Sequence, residues 1–184
     1  MRVITGQAKG ARLKSLRQTG LRPTSSLVRN AIFSALQARI DPGARVLDLY
    51  AGTGALGIEA LSRGAGHCDF VEQDRRTAKL IEENIATLAL SSQSRVICAP
   101  ALRAIGILEG PYDLVLMDPP YSSKDTPEAL RLLVEWGLVA PGGIVVVEHA
   151  WRDGAPAAPA GLSLDKTRRY GDTAISYYTR MASQ

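Results

Sequence analysis

The tetrapeptide Asp118-Pro119-Pro120-Tyr121 carries the strongest chemical signal in this sequence. It follows an apolar run (112–117) that predicts a buried strand, and open α/β sheets bind their ligands at the carboxyl ends of strands. The two prolines fix the backbone and donate no N–H, so the turn offers acceptors: the Asp118 carboxylate and the prolyl carbonyls. With the flat Tyr121 ring, these acceptors suit a planar base that carries an exocyclic amino group. A proline-rich turn closed by a tyrosine is the alternative interpretation, and the tetrapeptide alone does not decide between the two.

A glycine-rich turn forms a second candidate site. Gly52, Gly54 and Gly57 match the pattern G-x-G-x-x-G between a predicted strand and a predicted helix, and Glu72 follows Gly52 by 20 residues. In this fingerprint the glycines let the backbone approach a ligand, and the carboxylate accepts hydrogen bonds from ribose hydroxyls. The pattern alone is also compatible with an NAD-dependent dehydrogenase.

Asp48 distinguishes between NAD and a cationic cofactor that contains a ribose. It lies in the predicted strand four residues before Gly52, where its carboxylate would repel a pyrophosphate and attract a cation. S-adenosyl-L-methionine carries a sulfonium and an ammonium and no phosphate, so Asp48, the glycine loop and Glu72 together favour this cofactor. The alternative for Asp48 is a structural acid that accepts hydrogen bonds from N–H groups of the loop.

Alternating strands and helices must position these two sites. From Arg45 onward, apolar runs alternate with helical patterns, which predicts a mostly parallel sheet. Residues 162–170 and 173–180 are separated only by Gly171 and Asp172, which predicts an antiparallel hairpin. The other predicted strands span 45–50, 68–72, 95–98, 112–118 and 143–148. One predicted helix follows the glycine turn and ends at about residue 63, and a short one follows residue 100. Two more helices are predicted over about 75–88 and about 127–138.

The first 40 residues precede this alternating pattern. Residues 1–14 alternate loosely and predict a short hairpin, and Thr24 or Ser25 is expected to cap a helix that follows. The apolar stripe of this helix is predicted from helical spacing and comprises Leu27, Val28, Ala31, Ile32, Ala35 and Leu36. We therefore expect an N-terminal extension (1–40) and a main domain (41–184).

Charge separates these two parts. Residues 1–40 contain 8 of the 22 Lys and Arg residues and none of the 18 Asp and Glu residues, so the remainder carries −4 although the whole chain carries +4. A basic segment attached to a mildly acidic body predicts a surface that binds a polyanion. The alternative is a solvated basic segment without a partner.

Composition excludes several classes of protein. With 184 residues and 46% hydrophobic content, the chain suits one globular domain with a short appendage. No apolar run is long enough to span a bilayer, and the N-terminus lacks a signal-peptide pattern, so we expect a cytoplasmic protein. Cys68 and Cys98 are expected to be reduced and buried. His67 and His149 lack partners at zinc-ligand spacing, so no metal is expected.

Taken together, these motifs make the chain similar to class I methyltransferases, and more closely to the RsmD family of bacterial 16S rRNA guanine-N2 methyltransferases. The resemblance covers nearly the whole chain. Two residues depart from the family pattern. The family usually has Glu in place of Asn30, and many members have Asp or Asn, near the adenine of the cofactor, in place of Pro100. The matching segments are 2–6 with 9–10, 22–24 with 28–29, 48–57 with 59–64, 71–75, 118–121 and 170–173.

The resemblance implies a Rossmann-like, doubly wound α/β fold with a mostly parallel seven-stranded sheet, a C-terminal antiparallel hairpin and a small basic N-terminal extension. It also implies S-adenosyl-L-methionine as cofactor and 16S rRNA as partner, within the 30S subunit or an assembly intermediate, with the protein acting as a monomer. The implied catalytic residues are Asp118, Pro119, Pro120 and Tyr121. The implied cofactor-binding residues are Asp48, Tyr50, Gly52, Thr53, Gly54, Glu72 and Gln73. The implied RNA-binding residues are Arg2, Lys9, Arg12, Lys14, Arg22, Thr24 and Arg29.

Three other functions stay open at the level of sequence. An adenine-N6 methyltransferase acting on RNA or DNA would use the same Asp-Pro-Pro-Tyr turn, although the chain has no obvious separate target-recognition domain for DNA. A non-catalytic RNA-binding module would keep the basic extension and a relic cofactor site. An NAD-dependent enzyme would use the glycine loop.

Overall fold

The computed structural model describes residues 1–15, 25–36, 40–120 and 123–182. Three of the predicted site residues, Arg22, Thr24 and Tyr121, lie outside the described residues. The helices are α1 (Ser26–Ala35), α2 (Ala55–Ser62), α3 (Arg75–Thr87), α4 (Ala101–Ile105) and α5 (Thr126–Glu135). The strands are β1 (Arg45–Asp48), β2 (His67–Glu72), β3 (Ser94–Cys98), β4 (Tyr112–Met117), β5 (Val139–Ala150), β6 (Leu162–Tyr170) and β7 (Thr173–Arg180).

The seven strands form one sheet in the order β3-β2-β1-β4-β5-β7-β6. Strands β1 to β5 pair in parallel, whereas β7 is antiparallel to both β5 and β6. The predicted doubly wound, mostly parallel sheet with a C-terminal antiparallel hairpin is therefore confirmed. Because the chain proceeds from β1 outward to β3 and then returns to β4 on the other side of β1, the topological switch point lies between β1 and β4.

Apolar side chains cover both faces of the sheet. One hydrophobic cluster joins the sheet to α1, α2 and α3 and includes Ile32, Leu61 and Ile81. The other joins it to α4 and α5 and includes Ile105 and Leu130. Two buried layers explain why the parallel strands are nearly continuous apolar runs.

The N-terminal extension packs into the first of these clusters. A backbone bridge pairs Arg2 with Arg12 in antiparallel fashion, which confirms the predicted turn-back of the chain in residues 1–14. Val3 and Leu13 are buried together with side chains of α1 and α2. The described part of the extension and the main domain thus share one core, and the boundary at residue 40 stays a prediction.

Helix α1 begins where the sequence predicts, because the Ser25 side chain accepts a hydrogen bond from the N–H of Val28. Its buried face includes Val28, Ile32 and Leu36 of the predicted stripe. It differs at the edges of the stripe: Leu27 is 69% exposed, whereas Arg29 and Phe33 are buried. The buried face meets the N-terminal hairpin, where Arg29 finds acceptors.

Three further details differ from expectation. Cys68 is buried and Cys98 is exposed, and both are free thiols, so the predicted buried pair is wrong for Cys98. Strand β5 begins at Val139, because that residue pairs with Tyr112 ahead of an irregularity in the ladder. Within the described ranges, no helix combines the length and the apolar character that crossing a membrane requires.

Candidate active site

The glycine loop leaves the carboxyl end of β1 and forms the amino end of α2. Gly52 and Gly54 have φ of +53° and +75°, which is the left-handed region that glycine enters without cost. Gly54 occupies the N-cap position of α2. A Cβ at Gly57 would lie 2.3 Å from the Phe70 ring and 2.7 Å from Cys68 Sγ, so this glycine allows α2 to pack closely on β2. The turn conformation and the close packing at Gly57 match the fingerprint, while the approach of the loop to a ligand stays a prediction.

Glu72 connects the glycine loop to the start of α3. Its Oε2 accepts a hydrogen bond from the N–H of Gly52 at 2.9 Å, and its Oε1 accepts one from the N–H of Asp74 at 2.8 Å. Asp74 in turn caps α3 by accepting from the N–H of Thr77 at 2.8 Å. A carboxylate has about four acceptor positions, so Glu72 can hold the loop and still accept from a ribose hydroxyl.

Asp48 is buried beneath the loop. Its Oδ2 accepts a hydrogen bond from the N–H of Gly57 at 2.8 Å, which is the structural role that the sequence left as an alternative. Its Oδ1 is buried without a hydrogen-bond partner among the described residues. Burial raises the pKa of Asp48 to about 7, the Gly57 N–H opposes this shift, and the charges of Asp118 and Glu72 add to it.

The Asp-Pro-Pro turn follows β4 directly. Asp118 is half-buried, Pro119 is buried and Pro120 is exposed. The Pro120 carbonyl accepts a hydrogen bond from the N–H of Ser123 at 2.7 Å, so one of the predicted acceptors closes the turn. The Asp118 carboxylate and the Pro119 carbonyl are the other two acceptors of the prediction, while Tyr121 falls outside the described residues.

The remaining predicted cofactor residues lie around the same strand ends. Tyr50 is half-buried against the second hydrophobic cluster, and burial together with the charge of Asp125 raises its pKa to about 12. Gln73 is exposed next to Glu72. The Thr53 carbonyl accepts a hydrogen bond from Asn84 on α3 at 3.4 Å.

Three carboxyl groups thus surround the switch point. Asp48 and Glu72 lie at the ends of β1 and β2, Asp118 follows the end of β4, and their charges interact strongly enough to affect the pKa of Asp48. A cation placed among them would relieve this repulsion, whereas a pyrophosphate would add to it. The site therefore favours a cationic cofactor with a ribose over a dinucleotide.

The predicted RNA-binding residues fall into two groups. Four of them, Arg2, Lys9, Arg12 and Lys14, are exposed on the N-terminal hairpin. Arg29 is not on the surface: it is 1% exposed, and its guanidinium donates hydrogen bonds to the Arg2 carbonyl and to the Met1 sulfur, both at 2.7 Å. The expectation that Arg29 holds a phosphate is therefore corrected, because its side chain is buried and its Nη1 and Nη2 atoms donate inside the protein.

Sequence reasoning missed the side chains that hold the hairpin in place. Glu59 on α2 is fully buried and accepts hydrogen bonds from the N–H groups of Ile4 and Thr5 at 2.8 and 3.0 Å and from Arg63 Nε at 2.9 Å. Ser62 Oγ donates to the Thr5 carbonyl at 2.6 Å. The signal was present in the sequence, because an acid inside the apolar helix that follows a glycine loop requires buried partners.

Comparison with known proteins agrees with this geometry. The family model described as "Conserved hypothetical protein 95" matches residues 1–179. The putative rRNA methyltransferase YlbH of Bacillus subtilis is 36% identical over 183 residues, which cover 98% of this chain and 99% of YlbH. Ribosomal RNA small subunit methyltransferase D of Escherichia coli is 35% identical over 182 residues, which cover 99% of this chain and 91% of that protein. This chain belongs to the RsmD family.

A solved structure supports the same assignment. The putative methyltransferase yhhF of Escherichia coli has a TM-score of 0.90 and 35% identity over 100% of this chain and 99% of its own. The protein is thus a methyltransferase of the RsmD family with a Rossmann-like fold, and its cofactor is S-adenosylmethionine. The carboxylates at the strand ends fit that cofactor, as does Asp48 Oδ1, which is buried without a hydrogen-bond partner among the described residues. The individual contacts of the predicted residues stay predictions.

Proposed function

We propose that this RsmD-family protein methylates the exocyclic N2 of a guanine in 16S rRNA of the small ribosomal subunit. One observation carries the proposal: the acceptor-rich turn Asp118-Pro119 follows β4 at the switch point, next to the carboxylates of Asp48 and Glu72. A site that accepts hydrogen bonds and favours cations suits an amino group on one side and a sulfonium cofactor on the other. Two similar proteins are named as rRNA methyltransferases, which supports rRNA as the substrate.

When bound, S-adenosylmethionine supplies an electrophilic methyl group on its sulfonium. The protein positions the acceptor, whose lone pair is delocalised into the base and is a poor nucleophile. Asp118 and the Pro119 carbonyl accept hydrogen bonds from the two N–H groups of the amine, which favours a pyramidal nitrogen and directs its lone pair. The hydrogen bond between the Pro120 carbonyl and Ser123 stiffens the turn. Tyr121 stacks on the base and contributes about 1–3 kcal/mol, and the base must be unpaired or flipped to enter.

The exposed cations of the N-terminal hairpin contact the rRNA backbone in this proposal. Phosphate contacts orient the RNA without reading its sequence, so the target guanine is selected by RNA shape or by the surface of a 30S particle or assembly intermediate. The protein acts as a monomer, and its substrate places it in the cytoplasm.

The deciding experiment measures methyl transfer from labelled S-adenosylmethionine to small-subunit particles and to naked 16S rRNA, followed by nucleoside analysis. N2-methylguanosine is the expected product, and the better substrate identifies whether folded ribonucleoprotein is recognised. N6-methyladenosine would replace the proposed base with adenine. If neither substrate accepts a methyl group, the proposed rRNA substrate is wrong.

Replacing Asp118 by Ala tests the mechanism. Because Asp118→Ala removes an acceptor for the amino group, we expect kcat to fall by about 10²–10³-fold, while binding to rRNA persists. Asp153→Ala, which removes an exposed carboxylate just after β5, serves as the matched control and should retain full activity. Unchanged methylation by Asp118→Ala would contradict the proposed role of this residue.

A further inference from the structure

Asn84 connects the N-terminal hairpin to the glycine loop. Its Oδ1 accepts a hydrogen bond from the N–H of Lys14 at 2.8 Å, and its Nδ2 donates to the Lys14 carbonyl at 3.1 Å and to the Thr53 carbonyl at 3.4 Å. The side chain is 2% exposed on α3. One buried amide thus holds the predicted RNA-binding segment and the predicted cofactor loop at the same time.

The three hydrogen bonds of the Asn84 side chain differ in length. The two bonds to Lys14 have ordinary lengths. Through them the Asn84 amide pairs with both the N–H and the carbonyl of Lys14, as the backbone of a neighbouring strand would. The bond to the Thr53 carbonyl is longer and therefore weaker. A change of the loop that shortens this bond fixes the Asn84 amide and, through it, the Lys14 backbone.

The first half of the hairpin is held in place without Asn84, so a change at Thr53 acts on the half that carries Lys14. Glu59, Ser62 and Arg63 hold residues 4–8 against α2 through five hydrogen bonds to the backbone and side chains of that segment, among them the N–H of Ala8 to Ser62 Oγ at 3.0 Å. Helix α2 itself begins at the glycine loop, at Gly54. The hairpin is therefore supported by the two helices that flank the loop.

We propose that Asn84 is a positioning residue that couples occupancy of the cofactor site to the affinity for RNA, an inference that rests on the proposed function. A ligand that orders the Thr53 segment strengthens the Asn84 clamp and orders the second half of the hairpin, which carries Lys9, Arg12 and Lys14. Ordering the cations before RNA arrives lowers the entropic cost of binding the RNA. Thermodynamic linkage requires the reverse effect as well, so RNA tightens cofactor binding by the same factor.

The test is a ratio of affinities rather than a rate. The dissociation constant for 16S rRNA is measured at one fixed salt concentration, with and without saturating S-adenosylhomocysteine. For the wild-type protein we expect binding about fivefold or more tighter in its presence. For Asn84→Ala we expect a ratio near one. A role limited to stability would change both affinities and leave the ratio intact.

Glu83→Ala is the matched control. Glu83 precedes Asn84 on α3 and forms an exposed ion pair with Lys14 Nζ at 2.9 Å, so its removal frees the Lys14 side chain and leaves the amide clamp in place. This variant should keep the wild-type ratio. Asn84→Asp is a second probe in case the alanine variant does not fold: it keeps the acceptor for the Lys14 N–H, removes both donations and should also bring the ratio near one.

The outcomes separate this inference from the proposed function. A wild-type ratio of one with measurable rRNA binding overturns the coupling and leaves the rRNA substrate standing. A wild-type ratio that persists in both Asn84 variants overturns the role of this residue. Absence of rRNA binding in either condition overturns the rRNA substrate and the coupling together.

Discussion

At the scale of single residues, Asp48 combines a structural role with an electrostatic one. It accepts the Gly57 N–H and so fixes the turn between β1 and α2. Its other oxygen is buried without a hydrogen-bond partner among the described residues, and a buried carboxylate in that condition is costly. The loop is therefore held by a carboxyl group whose pKa is raised and whose ionised form a nearby cation would stabilise.

Asp48→Asn should uncouple these two roles. Because the folded state raises the pKa of Asp48 from 3.8 to about 7, the folded protein binds this proton more tightly than the unfolded chain does. The contribution of Asp48 to the free energy of unfolding is thus most favourable below pH 4 and is lost as the pH rises through about 7. A neutral amide avoids this loss, so the substitution should make the cofactor-free protein more stable than the wild type at pH 8, by about 1–3 kcal/mol.

Two measurements check this prediction. Thermal melts between pH 4 and pH 8 should show the stability advantage of Asp48→Asn disappearing at pH 4, where the wild-type carboxyl is also neutral. Calorimetric titration at pH 8 should show S-adenosylmethionine binding about tenfold more weakly to the variant, a loss of roughly 1.4 kcal/mol. Identical pH profiles for the two proteins would contradict the assigned protonation behaviour.

Sequence reasoning predicted the glycine turn and the acids at the strand ends from residue type and spacing, and it failed where burial depended on distant partners. The positions of Gly52, Gly54 and Glu72 follow from a local strand–turn–helix pattern. The burial of Arg29 does not, because it depends on the Arg2 carbonyl and the Met1 sulfur, which lie 27 and 28 residues earlier in the chain. Helical spacing alone cannot reveal that another segment will cover an arginine beside the apolar stripe.

At the scale of elements, the N-terminal hairpin depends on a close approach to α2. The N–H of Gln7 donates to the Ser62 carbonyl at 2.8 Å, and a Cβ at Gly6 would lie 1.7 Å from the oxygen of that carbonyl. The strands and the C-terminal hairpin were predictable, since periodicity and the two-residue turn are local, and the doubly wound arrangement was implied by the family resemblance. The docking of residues 1–15 was not, because it is made of contacts about 55 residues apart in sequence.

Gly6→Ala and Gly10→Ala form a matched pair that tests this docking. Both glycines have φ near +80° (+85° and +81°), so alanine costs about 1–2 kcal/mol of backbone strain at either position. Only Gly6 also faces a backbone clash, since a Cβ at Gly10 meets nothing within 4 Å. We expect Gly6→Ala to release residues 1–15, and Gly10→Ala to lower the melting temperature slightly with the hairpin still docked.

Hydrogen exchange distinguishes the two variants. The amides of Ile4 and Thr5, which donate to Glu59, should lose protection in Gly6→Ala and keep it in Gly10→Ala. Equal protection in both variants would mean that the hairpin does not need the close approach at Gly6.

At the scale of the whole molecule, charge and topology are arranged around the switch point between β1 and β4. The carboxylates of the site lie at the ends of the strands, whereas the exposed cations Arg2, Lys9 and Arg12 lie on a hairpin that packs against one face of the sheet. The basic N-terminal segment and the acidic site therefore lie on different parts of the surface of one molecule, and a shared hydrophobic core holds the two parts together. In the proposed function, an RNA held by the hairpin would place a flipped base at the carboxyl edge of the sheet.

The salt dependence of rRNA binding tests this arrangement. Each phosphate contact contributes about 0.7–0.9 to the slope of log K against log salt concentration, so Lys9→Gln and Arg12→Gln should each lower the magnitude of that slope by this amount. Arg95→Gln is the matched control, because it also removes one exposed cation. Arg95 lies beside Asp69 in the strand register and so shares its face of the sheet. Asp69 accepts a hydrogen bond from Tyr112, which belongs to the cluster on the face opposite the hairpin. Its slope should equal that of the wild type. If all three variants lower the slope equally, the binding responds to net charge alone and the hairpin is not the RNA-binding surface.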